Sequence, residues 1–141
     1  MEDYYQTKIL QDVRSAAEKA GKKEAAAPVE QRIREAVILL KEKKGEDIRV
    51  LNLSQVNNYL EYFVIVTANS ENHLRGLARD VMRLMKKLHD KRIGDLEPGS
   101  KGWILLDYVD VIFQIFTLES RNYYNLEKLW GDSNDLTGKY T

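Results

Sequence analysis

The stretch Tyr62-Phe63-Val64-Ile65-Val66-Thr67-Ala68 decides the fold, because it is apolar on both of the faces that a strand presents. Runs of β-branched and aromatic residues of this length are typical of strands that are buried on two sides. We therefore expect residues 62–68 to form a central strand in the middle of a β-sheet.

An amphipathic helix and a short strand are predicted before this central strand. Apolar residues recur every three or four positions with charges between them, which is typical of a helix with one buried face. The residues of this buried face are Val29, Ile33, Val37 and Leu40. Gly45 suits a C-terminal cap for this helix, and residues 48–53 are predicted to form a strand.

A longer amphipathic helix is predicted directly after the central strand. Asn69 and Ser70 can cap its N-terminus, and Glu71 in the first turn opposes the helix macrodipole. The apolar stripe of this helix comprises Leu74, Leu77, Val81, Leu84, Met85 and Leu88. Another face of the same helix carries the basic residues Arg75, Arg79, Arg83 and Lys86.

Two more strands and a short helix are predicted near the end of the chain. Residues 103–106 and 111–116 are expected to form a hairpin that turns around residues 107–110. Ser120 can cap the short helix, and the polar tail after Gly131 is expected to fray. This order of elements predicts an α+β fold in which helices cover a mixed β-sheet.

Composition divides the chain into parts and excludes several classes of protein. We interpret residues 1–28 as an N-terminal extension with a short helix and a linker, residues 29–135 as the folded domain and residues 136–141 as a polar tail. Basic and acidic residues number 22 each, so no overall charge attracts nucleic acid or lipid. The chain has no cysteine, no apolar stretch near the roughly 20 residues of a membrane span, and no leader pattern. We expect a cytoplasmic protein that does not bind membranes.

The sequence offers little for catalysis. It contains neither a phosphate-binding loop nor a serine elbow, and His73 and His89 would lie roughly 24 Å apart on one helix, too far to share a metal ion. Asp107 and Asp110 could hold Mg²⁺ for nucleotidyl transfer, which we keep as an alternative. However, acids on one strand share a face when they are two apart, and a turn also explains these aspartates. We expect no enzyme activity, no cofactor and no metal site.

Charge is distributed unevenly along the chain. Residues 71–92 carry seven basic and three acidic side chains, whereas residues 103–135 carry two basic and six acidic ones. The acidic segment also gathers aromatic rings with polar edges, which are favoured anchors of protein interfaces. These rings are Trp103, Tyr108, Tyr123, Tyr124 and Trp130. This side suits a basic protein partner, and the basic helix leaves an RNA-binding module as a second alternative.

The same region resembles the Iojap family, the ribosomal silencing factors. The matching stretches are Glu61-Tyr62-Phe63-Val64-Ile65, Asn69-Ser70, Trp103-Ile104-Leu105-Leu106-Asp107-Tyr108, Asp110-Val111 and Arg121-Asn122-Tyr123-Tyr124-Asn125-Leu126-Glu127-Lys128-Leu129-Trp130. The resemblance implies a nucleotidyltransferase-like fold without transfer chemistry. It also implies binding to the large ribosomal subunit through its ribosomal protein fourteen, which blocks joining of the small subunit and lowers translation when nutrients are scarce. It allows a homodimer.

Carried over by position, the resemblance implies a docking edge and residues that brace it. The candidates for the edge are Trp103, Leu105, Asp107, Tyr108 and Asp110. The candidates for neighbouring contacts or braces are Arg121, Tyr124 and Glu127. The basic row of Arg75, Arg79, Arg83 and Lys86 is expected to lie near ribosomal RNA.

The chain departs from the family pattern at four positions. The departing residues are Glu61, Ala68, Val109 and Gln114. Val109 stands where the family usually has glycine, and a β-branched residue resists a positive φ. We therefore expect the turn of the hairpin to differ or to shift. Gln114 replaces a usual histidine, which further weakens an acid–base role.

Overall fold

A five-stranded mixed sheet organises the computed structural model, which describes residues 27–53, 62–88, 102–124 and 134–141. The strands are β1 (Glu46–Asn52), β2 (Tyr62–Ala68), β3 (Trp103–Asp107), β4 (Val111–Thr117) and β5 (Asn134–Asp135). Their order across the sheet is β3-β4-β2-β1-β5, so the prediction that β2 is central is confirmed. β2 and β4 are parallel, whereas the other neighbours are antiparallel.

Helices complete the α+β fold that the sequence predicts. They are α1 (Val29–Glu42), α2 (Glu71–Lys87), α3 (Leu118–Tyr124) and α4 (Thr137–Tyr140). The predicted cap of α2 is confirmed, because Ser70 Oγ accepts the backbone N–H of His73 at 3.0 Å. None of the helices in the described ranges has the length and apolar character of a membrane span. The likeness to nucleotidyltransferases remains an expectation.

Each face of the sheet has its own core. The first core packs α1 and α2 against one face, which includes Val64 and Val66 of β2. The second core lies on the opposite face, which includes Phe63 and Ile65 of the same strand. Its remaining members are Leu51, Leu53, Trp103, Leu105, Ile112 and Phe116. Burial on two sides explains why β2 has no polar face in the sequence.

The end of α1 shows why glycine stands at position 45. The N–H of Gly45 donates to the carbonyl of Leu40 at 2.7 Å, and the N–H of Lys44 donates to that of Lys41 at 3.1 Å, which together form a Schellman motif. The left-handed residue of this motif is Lys44, with φ 70°, and not Gly45. A Cβ atom at Gly45 would lie 2.7 Å from Val66 Cγ2. Gly45 therefore serves the cap through close packing against β2.

The last residues pack onto the sheet, so the expectation that the tail frays is wrong for residues 134–141. β5 pairs with β1, and the N–H of Leu136 donates to the carbonyl of Val50 at 2.7 Å. The ring of Tyr140 is buried in the first core. A strand of two residues and one ring leave no periodic signal in the sequence, which is why polarity alone indicated a loose tail.

Candidate protein-docking site

β3 and β4 form the hairpin that the sequence predicts. The register pairs Trp103 with Phe116 and Asp107 with Ile112. β3 lies at the edge of the sheet, and β4 is its one neighbour among the described strands. Edge strands offer backbone groups to a partner chain, so this edge is a natural place for docking.

The hairpin turn holds Val109 in a conformation that β-branched residues rarely adopt. Val109 has φ 75°, so the expectation that it would avoid a positive φ is wrong. Asp107 Oδ1 accepts the N–H of Val109 at 2.8 Å, and the carbonyl of Tyr108 accepts the N–H of Asp110 at 2.9 Å. This second bond spans three residues, as in a γ-turn. Hydrogen bonds on both sides therefore hold a strained residue in place.

A buried arginine that we did not single out in the sequence anchors this turn to α1. Arg32 donates to both carboxylate oxygens of Asp110, at 3.0 and 2.5 Å, and its Nε donates to the carbonyl of Ala27 at 2.8 Å. The side chain of Arg32 is 2% exposed and that of Asp110 is 24% exposed. Asp110 therefore serves first as a brace of the turn, in contrast to the expected contact role.

These contacts also bear on the alternative of a magnesium pair. Both oxygens of Asp110 face Arg32, and one oxygen of Asp107 holds the turn, so the two carboxylates have structural tasks. In the described ranges, no three His, Cys, Asp or Glu side chains come close enough to share a metal ion. The geometry does not favour nucleotidyl transfer at this turn.

Four of the expected docking residues are buried in the protein's own cores. Trp103 stacks on Phe116 at 5.6 Å between ring centroids and donates from its indole to Gln114 Oε1 at 3.0 Å. Tyr108 packs edge-on against Phe113 at 5.9 Å. The four buried candidates are Trp103, Leu105, Asp107 and Tyr108. Because β3 is covered on both faces, these side chains support the surface above them, and their direct contact with a partner stays a prediction.

Arg121 is the second buried cation, and it fastens α3 to the sheet. Its Nη1 donates to Thr67 Oγ1 at 2.7 Å and to the carbonyl of Asp47 at 2.6 Å. Thr67 shares its face of β2 with Phe63 and Ile65, so α3 lies on the side of the second core. Arg121 therefore braces α3 against the sheet, and its place beside a docking edge stays a prediction.

α3 exposes two large apolar side chains beside the edge strand. Leu118 is 63% exposed and Tyr123 is 68% exposed. Gly102, directly before β3, allows α3 to approach closely, because a Cβ atom there would clash with the side chain of Ser120. We call Leu118 and Tyr123 with the outer edge of β3 the α3 surface. The side chain of Tyr124 and the whole of Glu127 lie outside the described residues.

The structure divides the expected docking residues between two ends of the hairpin. Asp107, Tyr108 and Asp110 lie at the turn, whereas Trp103 and Arg121 lie near α3. β4 connects these ends over seven residues, which corresponds to roughly 23 Å at the rise of a strand. These residues therefore do not form a single cluster.

The basic row lies on the other side of the molecule. Its members Arg75, Arg79, Arg83 and Lys86 are exposed on α2, whose opposite stripe is buried in the first core. His73 fits the reading of a locally bonded histidine. Its Nδ1 accepts the N–H of Asn69 at 2.9 Å, and its Nε2 donates to the carbonyl of Lys43 at 2.7 Å, since a carbonyl can only accept.

Comparisons with known proteins confirm the resemblance. Residues 23–140 match the family described as "Ribosomal silencing factor during starvation". The chain is 33% identical over 100 residues to a protein of Halalkalibacterium halodurans named "Ribosomal silencing factor RsfS", covering 70% of this chain and 84% of that protein. It is 33% identical over 96 residues to "Protein Iojap, chloroplastic" of Zea mays, covering 67% of this chain and 41% of that protein.

Solved structures give the same result. A crystal structure of a Chromobacterium violaceum protein superimposes with a TM-score of 0.69 at 27% identity, covering 74% of this chain and 87% of that one. A crystal structure from Bacillus halodurans superimposes with a TM-score of 0.63 at 28% identity, covering 72% of this chain and 94% of that one. Sequence and structure together show that the chain belongs to the family of ribosomal silencing factors, also called the Iojap family.

Proposed function

We propose that the protein binds the large ribosomal subunit through its ribosomal protein fourteen and sterically blocks joining of the small subunit, especially under nutrient limitation. Membership in the silencing factor family supports an action on ribosomes, and the description of that family names starvation. The partner and the blocking step come from the family resemblance. The protein then acts as a cytoplasmic translational repressor without catalysis.

The observation that carries the proposal is the α3 surface. Exposed apolar patches on soluble proteins often mark sites of protein interaction, and Leu118 and Tyr123 are both exposed on the same short helix. Tyrosine is also enriched among the residues that contribute most to protein interfaces. Leu118 and Tyr123 therefore supply the apolar anchors, and they lie beside β3, an edge strand of the described sheet.

Charge supports a basic protein as the occupant of this surface. On α3 itself Glu119 is exposed, whereas the basic residue of that helix, Arg121, is buried. Such a surface repels the phosphates of bare RNA and attracts a basic protein. A ribosomal protein on the rRNA surface meets this requirement.

The buried residues of the motif prepare the α3 surface from beneath. Arg121 and Gly102 fix α3 against the sheet, and the stacked ring of Trp103 fills the space under the start of β3. Residues 29–135 form the main part of the silencing domain in this proposal, residues 136–141 complete it by packing onto the sheet, and residues 1–28 are an extension. A domain of this length has a radius of gyration of about 14 Å, which is enough to obstruct the contact between two subunits. A homodimer is compatible with this arrangement.

Binding to purified large subunits tests the proposal. Truncation of an interface anchor commonly costs about 2 kcal/mol, so Tyr123→Ala should bind roughly 30-fold more weakly and should permit subunit joining. Co-sedimentation measures the first effect and formation of joined ribosomes measures the second. The thermal midpoint should stay unchanged, because an exposed ring contributes little to the core.

Ile38→Ala is the matched control. Ile38 is 49% exposed on α1, which lies across the sheet from α3, so this variant should bind as the unaltered protein does. Normal binding by Leu118→Ala and by Tyr123→Ala would show that the docking surface lies elsewhere. Turnover of nucleotides with Mg²⁺, abolished by Asp107→Asn, would support the enzymatic alternative instead.

A further inference from the structure

The outer face of α2 carries basic side chains that form no close ion pair with acidic groups in the described ranges. Within the described ranges, no hydrogen bond or ion pair engages Arg79, Lys86 or Lys87. Arg75 donates to Asn72 Oδ1 at 2.5 Å, a neutral and exposed partner that leaves its charge unpaired. Arg75 and Arg83 reach carboxylates on their own helix only at 3.9 and 3.8 Å, and both side chains are more than half exposed. Exposed pairs at such distances contribute little, so all five cations are available to a partner.

These cations form a regular row. Arg75, Arg79, Arg83 and Lys87 are each four residues apart, so they follow one another along the same side of the helix over roughly 18 Å. Lys86 lies beside the end of this row. The spacing distributes single charges along a line, as an extended anionic ligand requires.

The chemistry of this face favours a nucleic acid backbone over an acidic protein. Every exposed residue of α2 is polar or charged, and its apolar residues face inward. A protein interface needs apolar anchors, whereas a phosphate backbone is bound by cations alone. The exposed residues of α2 include no aromatic ring on which unpaired bases could stack, which disfavours single-stranded RNA.

We propose that the outer face of α2 binds the phosphate backbone of double-stranded RNA. The contact depends on the phosphate charges and on the shape of the RNA helix, and it does not read the base sequence, as is usual for RNA duplexes. This face lies across the sheet from the α3 surface, because α2 covers the first core and α3 the second. The two surfaces can therefore be occupied at once, and the RNA contact does not depend on the identity of the protein partner.

Titration of the full chain against an RNA duplex of about 16 base pairs tests the proposal. Two phosphate contacts change the slope of log K against log salt by about 1.8. Arg79→Glu/Lys86→Glu should therefore reduce this slope by at least about 1.8, so that the unaltered protein weakens about tenfold more than this variant between 50 and 200 mM salt. Fluorescence anisotropy at several salt concentrations measures this difference.

The control variant is Arg34→Glu/Lys41→Glu, which makes the same charge change at exposed residues on the side of α1 that faces α4. It should retain the salt dependence of the unaltered protein. Arg79→Gln/Lys86→Gln removes the charges without reversing them. Its affinity for the duplex should lie between those of the unaltered protein and the reversed variant, and its thermal midpoint should be unchanged. Equal slopes for the reversed and the control variants, or no binding of the duplex at low salt, would overturn the proposal.

The same titration separates this inference from the proposed docking. Tyr123→Ala should bind the RNA duplex with unchanged affinity while it fails to co-sediment with large subunits. A Tyr123→Ala protein that loses the duplex would place the RNA contact at α3 and overturn the assignment to α2. Loss of docking alone leaves the RNA contact intact, so the two hypotheses fail on different measurements.

Discussion

Removal of the Asp110 carboxylate should destabilise the protein more than removal of any exposed charge. In Asp110→Ala the guanidinium of Arg32 stays in place, 2% exposed, and loses both of its carboxylate bonds. An uncompensated buried charge costs about 3 to 5 kcal/mol. Asp110 is partly exposed, and water reaches that side of the pair. We therefore expect the free energy of unfolding to fall by about 3 kcal/mol, the lower end of this range. This corresponds to a thermal midpoint roughly 10 °C lower.

The reverse change should be milder. Arg32→Met leaves the carboxylate of Asp110, which is 24% exposed and can be hydrated. Replacing a buried cation by an apolar chain of similar length is often close to neutral, so Arg32→Met/Asp110→Ala should recover much of the stability that Asp110→Ala loses. The free energies of unfolding in urea for both single variants and the double variant give this coupling directly.

Glu30→Ala provides the control, since Glu30 lies on the same helix as Arg32 and forms an exposed pair with Lys139 of α4 at 3.5 Å. Exposed pairs contribute about 0 to 1 kcal/mol, so this variant should unfold almost as the unaltered protein does. A loss for Asp110→Ala as small as that for Glu30→Ala would refute the view that Arg32 anchors the hairpin turn.

Two further predictions concern the turn and the last strand. Val109→Gly relieves a left-handed φ that costs about 1 to 2 kcal/mol. It also adds freedom to the unfolded backbone, which lowers stability by about 0.5 to 1 kcal/mol, so we expect a small gain in the free energy of unfolding. A clear loss would contradict the strain at Val109. Hydrogen bonds from Thr137, and then the charge of Arg49, lower the pKa of Asp135. Asp135 therefore stabilises the fold above its unfolded pKa of about 3.9, and this contribution is lost as the pH falls through the lower folded value. Asp135→Asn should therefore reduce the difference between the thermal midpoints at neutral and at acid pH. If that difference is unchanged, the carboxylate of Asp135 does not contribute to the pH dependence of stability.

Long elements could be predicted because their burial patterns repeat. β2 is apolar at every position because both of its faces are covered, and the stripe of Leu74, Leu77, Val81 and Met85 follows the helical period. The hairpin followed from two apolar runs around a polar turn. In each case the signal is local, so it requires no knowledge of distant partners.

The site was harder to predict because its determinants are long-range. Arg32 lies beside an apolar stripe, and nothing near it in sequence identifies Asp110 as its partner. Tyr108 and Tyr123 look alike as aromatic residues in an acidic segment, yet Tyr108 packs against Phe113 and Tyr123 points to solvent. Position in the sequence does not distinguish a ring that ends a buried strand from one on an outward helix face.

The parallel pairing of β2 with β4 affects how the chain folds. Tyr62 pairs with Val111, so α2 and β3 must both be traversed before the two strands can meet. Closing such a long loop costs chain entropy before any contact compensates, whereas α2 and the β3–β4 hairpin need only local contacts. We expect these local units to form early and the β2–β4 ladder to limit the folding rate. Until that ladder closes, the apolar faces of β2 and β4 are exposed to other chains, which makes slow refolding and aggregation compete at high protein concentration.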